Sequence, residues 1–314
     1  MDLRHLRYFL AVAEELHFAR AAQKLHIEQS PLSRAIKELE EELGAPLFAR
    51  TTRSTRLTRA GKLFHEHVRR VFVILQQARD SMRTVALGFD GQMRVALSGG
   101  VTPARLPALL ALCREEEPEV EIRFFEVPLS QQIKGLHDDL YDVGFAQSDA
   151  VGEGVVALPV WQDALMVAVP ARHPLLAHKR IPLDELLRYP LVLWDPQICE
   201  GLAKHVERVL RQSDREPLVA ERVASCDLMM ALVSGGIAPG LAGAAHIAAR
   251  REAGVVARPL ATCVPPLTTY LLRPAGEPSD VLARFIERVQ ALESPLSDRP
   301  VPDVRSDHSE ELAP

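Results

Sequence analysis

The apolar positions change their period along the chain. At the N-terminal end Leu6, Phe9, Leu10, Val12, Ala13 and Leu16 recur at helical spacing, which predicts an amphipathic helix from Leu3 to about Glu15. Phe18 to Leu25 reads as a short second helix whose Ala19, Ala21 and Ala22 permit close approach, and His26-Ile27-Glu28 as a tight turn. A third helix is predicted from Ser30, whose hydroxyl is placed to cap free amides, with Pro31 at the first helical position. It runs to Leu43 and stops at Gly44. On it Leu32, Ile36, Leu39 and Leu43 fall within an arc of roughly 60°, while Ser30, Ser33, Arg34 and Lys37 lie opposite. One face is therefore core and the other small, polar and cationic.

That polar face suits a major groove. Short hydroxyls allow close approach, Arg34 is able to donate bidentately to guanine, Lys37 reaches phosphates, and Gln29 beside the N-terminus is placed to read adenine. A solvated face with an ordinary cap is the plainer alternative. Beyond Gly44, apolar anchors alternate with Arg and Thr from Pro46 to Thr58, as in a short two-stranded wing that would aim Arg50, Arg53 and Arg56 at the sugar-phosphate backbone. Charge supports this placement. Residues 1–90 carry 15 Lys and Arg against 11 Asp and Glu, whereas the remainder carries 22 against 31. A polyanion would thus bind near the N-terminal end.

From Thr58, whose hydroxyl is placed to cap a helix, to Gly88 there is no internal proline, and Phe64, Val68, Val71, Leu75, Ala78, Met82 and Val85 alternate spacings of four and three. One helix cannot bury such a heptad stripe alone. A second chain is the economical partner, with packing on its own domain as the alternative.

The run Leu6-Arg7-Tyr8-Phe9, Phe18-Ala19-Arg20-Ala21-Ala22, Gln29-Ser30-Pro31-Leu32-Ser33-Arg34, Leu39-Glu40, Leu43-Gly44, Leu47-Phe48 and Leu57-Thr58-Arg59-Ala60-Gly61 resembles, in order and spacing, the signature of LysR-type transcriptional regulators. Two departures stand out: His17 replaces a usual Ser before Phe18, which bears on capping of the second helix, and Glu28 replaces a small residue beside the groove. The resemblance implies a winged helix-turn-helix (residues 1–58), a linker helix for dimerisation (59–88) and an effector domain (91–293). Partners implied are double-stranded operator DNA, a small-molecule effector, a homodimer assembling to a homotetramer, and RNA polymerase if the protein activates. The N-terminal wording resembles the branch controlling aromatic-compound catabolism, which points to an aromatic or dicarboxylic acid.

Beyond Gly91 short strands alternate with helices. Met93 to Ser98, Glu121 to Glu126, Val143 to Ala146, Leu165 to Val169, Leu191 to Trp194, Val219 to Val223 and Thr268 to Leu272 are strand-like, with helices over Arg105 to Glu116 and Ser130 to Leu140. The alternation predicts an α/β architecture whose ligand lies outside the carboxyl ends of strands. It resembles a type 2 periplasmic binding protein, with lobe I over about 91–162 and 268–293 and lobe II over about 163–267. By matched position the resemblance places effector contacts at Thr102, Ser130, Gln197 and Cys226. Thr102 and Ser130 each precede a predicted helix, where a hydroxyl and free amides would meet a carboxylate; simple helix capping is the alternative.

A length of 314 residues favours two cores. No apolar run reaches membrane-spanning length and the N-terminus lacks a signal-peptide pattern, so a cytoplasmic protein is expected. Cys113, Cys199, Cys226 and Cys263 are far apart and show no metal-ligand spacing, so no cofactor or metal is expected; redox sensing through Cys199 remains an alternative. No nucleophile motif, phosphate loop or dinucleotide fingerprint supports an enzyme. Residues 294–314 are rich in Pro, Ser and acid and predict a disordered tail.

Overall fold

The computed structural model describes residues 1–50, 55–87, 89, 91–99, 101, 105–250 and 253–292, together with all their side chains except that of residue 50. Arg53, Thr102 and the C-terminal segment from residue 293 lie outside the described residues. The chain divides into two compact units, Met1–Gly91 and Gln92–Pro314.

The first unit begins with α1 (Leu3–Glu15), α2 (Phe18–Lys24) and α3 (Gln29–Leu43). Asp2 caps α1 by accepting from the amides of Arg4 and His5, both at 2.9 Å. His17 takes over the capping of α2, its Nδ1 accepting from the Arg20 amide at 3.3 Å. The start predicted for α3 is two residues late: Glu28 holds the N-cap position without a side-chain bond, and Ser30 and Pro31 fall within the first turn. Proline is tolerated there because first-turn amides have no intrahelical partner. Phe48–Arg50 (β1) and Thr55–Leu57 (β2) pair antiparallel, with Ala49 opposite Arg56, and α4 follows over Arg59–Ala86. Thr58 caps α4, its Oγ1 accepting from Gly61 N at 2.9 Å.

Phe9, Val12, Ala21, Leu32, Ile36, Leu39, Leu47 and Phe48 form the core of this unit. Phe9 lies 5.4 Å from Phe48 and 5.0 Å from Phe64 between ring centroids, spacings at which tilted aromatic pairs attract. Two expectations need correction. Leu43 is exposed, because α3 ends there and Gly44 turns the chain away with a φ of 67°. Phe64 and Val68 do not belong to an exposed seam: both join the core of their own unit, since the first turns of α4 pack on α1. The rest of the stripe differs, with Val71, Ala78, Met82 and Val85 exposed and Leu75 half-buried.

The second unit contains two five-stranded sheets. The first half of the chain in this unit supplies β3 (Gly91–Leu97), α5 (Leu106–Glu116), β4 (Val120–Glu126), α6 (Leu129–His137), β5 (Val143–Ala146) and β6 (Val155–Asp163). It then crosses to a second lobe of β7 (Leu165–Pro170), α7 (Leu183–Leu186), β8 (Leu191–Trp194), α8 (Glu200–Leu210), β9 (Val219–Val223), α9 (Cys226–Ser234), β10 (Gly240–Gly243), α10 (Ala244–Arg250) and β11 (Val255–Pro259). Finally β12 (Leu267–Pro274) and α11 (Asp280–Ala291) return to the first lobe. Strand order is β4-β3-β5-β12-β6 in one sheet and β11-β7-β10-β8-β9 in the other. β3 and β5 run parallel, as do β10, β8 and β9, whereas β12 and β7 run antiparallel to their neighbours.

The strands β6, β10 and β11 carry no strand signal in the sequence reading. β6 contains Pro159 and β11 ends on Pro259, and both are edge strands, where a missing amide is tolerated. β10 is Gly-Leu-Ala-Gly, without a β-branched residue. In the first lobe Arg288 on α11 binds Glu117 at 2.7 Å and Glu116 at 2.5 Å, and Arg284 also pairs with Glu117, so α11 is clamped to the end of α5.

Candidate functional site: a DNA-reading surface and an interlobe cleft

On α3 the residues Ser30, Ser33, Arg34 and Lys37 follow the spacing of one helical face. Gln29, Ser30, Arg34 and Lys37 are exposed and Ser33 is half-buried, while Leu32, Ile36 and Leu39 anchor the opposite face. Lys37 is not a free cation: its Nζ pairs with Glu41 at 3.4 Å one turn along. Arg56 is exposed on β2, and Arg50 ends β1 opposite Thr55. One carboxylate connects the two segments. Glu40 Oε1 accepts from Leu47 N at 2.8 Å and from Phe48 N at 3.0 Å, tying α3 to the start of β1.

In the second unit a cavity of about 530 Å³ opens between the lobes. Leu97, Val101, Leu106, Val127, Trp194 and Ile198 give it apolar walls. Its polar lining comes from Ser98, Glu126, Ser225, Asp227, His246 and Arg250. α10 delivers two of these, His246 and Arg250, at the i, i+4 spacing that puts both on one side. The helix is held at its start by Asp163, the last residue of β6, whose carboxylate accepts from Ala245 N at 3.1 Å. Burial pushes the Asp163 carboxyl up, and amide bonds from Ala245 and Ala164 oppose that rise. His246 hydrogen-bonds the Val101 backbone across the lobes; burial lowers its pKa, favouring the neutral imidazole, and the Val101 bond opposes that fall. Arg250 forms an ion pair with Asp227 at the start of α9.

Of the residues assigned by matched position, Cys226 lines this cavity. Ser130 lies two residues beyond Pro128, which lines it, and its amide is bonded at 3.3 Å to Glu200 of the opposite lobe. An internal carboxylate therefore already sits at the Ser130 amide, where a ligand's anion is expected. Gln197 is exposed, its amide held by Asp195 at 2.8 Å, and its neighbour Ile198 lines the cavity instead. The sequence reading missed His246, Arg250 and Asp227; the one available signal, for the first two, was the His-x-x-x-Arg spacing that begins three residues after Gly243.

Cys199 and Cys226 lack the setting that a redox-sensing thiol needs. Cys199 is buried, its Sγ is 3.4 Å from Ala224 O, and burial together with the Asp195 carboxylate pushes its pKa up to about 11. Burial also raises Cys226. A reactive thiol requires the reverse, an accessible site that favours thiolate. In native protein only Cys263, which is exposed, is expected to react quickly with a thiol reagent, the other three being released on unfolding. A colorimetric thiol titration with and without peroxide checks this, and peroxide-dependent loss of Cys199 would contradict it.

A winged helix-turn-helix extended by a long helix, in a chain that also carries a two-lobed α/β cleft, defines a DNA-binding regulator with an effector-binding domain. Residues 3–62 match the bacterial regulatory helix-turn-helix protein model of the lysR family, and residues 87–293 match the LysR substrate binding domain. The chain belongs to the LysR family of transcriptional regulators. It is 34% identical over 238 residues to the uncharacterized HTH-type transcriptional regulator YnfL of Escherichia coli (strain K12), covering 76% of this chain and 80% of that protein. It is 30% identical to the Hca operon transcriptional activator HcaR of the same organism, over 92% of this chain and 97% of the relative. Among solved structures, full-length CbnR complexed with its target DNA matches with a TM-score of 0.72 at 27% identity, over 93% of this chain and all of that one. Among the described residues no helix is long and apolar enough to cross a membrane.

Proposed function

We propose that this regulator is controlled by a small organic acid bound between the two lobes, and that the occupied cleft changes how its assembled subunits hold operator DNA. The observation that carries the reading is the mixed lining of the cleft. Apolar walls and Trp194 suit a flat hydrocarbon body, and Arg250 and Ser225 supply donors for a carboxylate. An aromatic acid, or a dicarboxylic acid from ring cleavage, fits both, in keeping with the resemblance to regulators of aromatic-compound catabolism. A carboxylate entering there competes with Glu200 for the Ser130 amide and with Asp227 for Arg250. Such a ligand shifts the lobes only by binding one arrangement better than another. Thr102 belongs to this reading as a proposed contact.

The exposed stripe of Val71, Ala78, Met82 and Val85 on α4 supports pairing with a second chain, and dimers of such dimers would give a tetramer. RNA polymerase is a partner if the protein activates. The test is a thermal-shift screen of full-length protein against small aromatic and dicarboxylic acids, coupled to footprinting on the DNA upstream of its gene. A stabilising acid that alters the footprint, with both effects lost in Arg250→Gln, is the expected result. An unchanged footprint with every acid would sink effector control.

For the DNA surface, α3 lies in the major groove, with Gln29, Ser30, Ser33, Arg34 and Lys37 facing the bases and nearby phosphates, and Arg50, Arg53 and Arg56 on the backbone. Arg34→Ala is expected to cost about 1–3 kcal/mol on the operator and much less on unrelated DNA, whereas Arg56→Ala weakens both alike and flattens the salt dependence. Competition binding at two salt concentrations measures this, and equal losses on all DNA for Arg34→Ala would refute base reading.

A further inference from the structure

The helix α8 buries one stripe, formed by Leu202, Ala203, Val206, Val209 and Leu210. A second stripe, Gly201, Lys204, His205 and Arg208, faces elsewhere and lines a separate concavity of about 220 Å³. Both lobes build it. Ser148, Asp149 and Thr268 come from the first lobe, and Pro265 and Pro266 from the chain returning to it. No lining residue is shared with the interlobe cleft.

Three features make this concavity more than a solvated helix face. Gly201 is required by contact: a Cβ there would lie 2.5 Å from Gln147 O, so α8 is pressed against the end of β5 and its cations are carried over the junction between lobes. His205 is fixed, with Nε2 at 3.1 Å from Pro265 O. Because a carbonyl only accepts, that nitrogen bears the proton. Lys204 and Arg208 are exposed and hold no ion pair among the described residues, although α8 does supply one elsewhere, Glu207 to Arg211 at 3.7 Å. Two unneutralised cations one turn apart in a concave wall with two hydroxyls beside them form a field that concentrates anions. Asp149, which is exposed, is the single acid in the lining and favours a ligand carrying a hydroxyl or amine next to its anionic group.

We propose that this concavity is a second ligand site, which takes a small oxyanion, a phosphate or carboxylate group of a metabolite, on Lys204 and Arg208 with Ser148 and Thr268 as further donors. Being lined by both lobes, an occupied site is sensitive to their arrangement, and linkage makes it a co-regulator of whatever binds the cleft.

The test is calorimetric titration of the full-length protein with inorganic phosphate and, separately, succinate, using wild type, the double variant Lys204→Gln/Arg208→Gln, and Arg250→Gln. Expected is saturable binding in at least one arm with a Kd of about 1 mM or tighter, weakened about tenfold or more in the double variant and unchanged in Arg250→Gln. Melting temperature of the double variant should match wild type because both side chains are exposed. Retention in Arg250→Gln separates this site from the effector cleft, so either may fail alone. Absence of saturable binding in both arms overturns the proposal. So does equal affinity in the double variant, or a double variant whose only defect is weaker binding to DNA, which would make the patch a nucleic-acid contact.

Discussion

Gly61→Ala is expected to abolish operator binding at physiological temperature by unfolding the N-terminal unit. The glycine sits in the first turn of α4, where a Cβ would lie 2.0 Å from Leu47 O and 3.0 Å from both Leu47 C and Leu57 Cδ2. The obstacle is backbone, so no rotamer change relieves it. Leu47 O also accepts from Thr58 N at 2.9 Å and from Thr58 Oγ1 at 3.2 Å, and the helix cannot retreat without loosening the bonds that fix its own cap. Overpacking of this kind costs about 1–3 kcal/mol, and more where a backbone must move. In a unit of this size each kilocalorie lowers the melting temperature by roughly 4–8 °C. Two-transition calorimetry should show the N-terminal transition shifted by more than about 8 °C with the second transition in place. Lys62→Ala, at the exposed neighbouring position, is the control, and a variant Gly61→Ala melting within experimental error of wild type would overturn this account.

The second large effect concerns the clamp between α5 and α11. Arg288 and Glu117 are nearly buried, and Arg288 is the main cause that holds the Glu117 carboxyl below its ordinary range. Arg288→Met leaves Glu117 with Arg284 alone, and breaking a buried pair from one side costs about 3–5 kcal/mol. The double variant Arg288→Met/Glu117→Leu should recover most of the loss, since a matched apolar pair removes the stranded charge. The sign with pH is fixed. A carboxylate whose folded pKa lies below its unfolded value of 4.5 contributes stability above that value and loses it as pH falls through the depressed folded one. Wild type should therefore lose stability below pH 4.5 more steeply than the double variant. Urea denaturation at neutral and acid pH checks both statements, and parallel pH curves would refute the clamp.

The polar face of α3 was legible because its apolar anchors and its polar residues fall on opposite sides of one helix, a relation that periodicity alone expresses. The heptad stripe was legible as a stripe but not as to its partner. Phe64 and Val68 continue the same spacing as Val71 and Met82, yet their neighbours are α1 and the wing, which only tertiary packing reveals. Effector-lobe strands rich in Val and Leu declared themselves, whereas Pro159 and the glycines of β10 mask strands whose pairing is decided by sheet position. The cleft was hardest to read. His246 and Arg250 sit on a short Ala-rich helix with no composition signal, and they reach the cavity only because Asp163 fixes that helix from the other lobe.

The clamp made by Glu40 has a consequence for how DNA is chosen. A single oxygen that joins α3 to the start of β1 leaves the helix and the wing little freedom to slide apart. On the proposed docking the pair works as a caliper set to one opening, so a duplex is accepted when the distance from its major groove to the adjoining backbone matches that setting. Sequences that narrow or widen the intervening groove change the fit without altering any contacted base, and the protein then discriminates among them by the work of deforming DNA to the jaws.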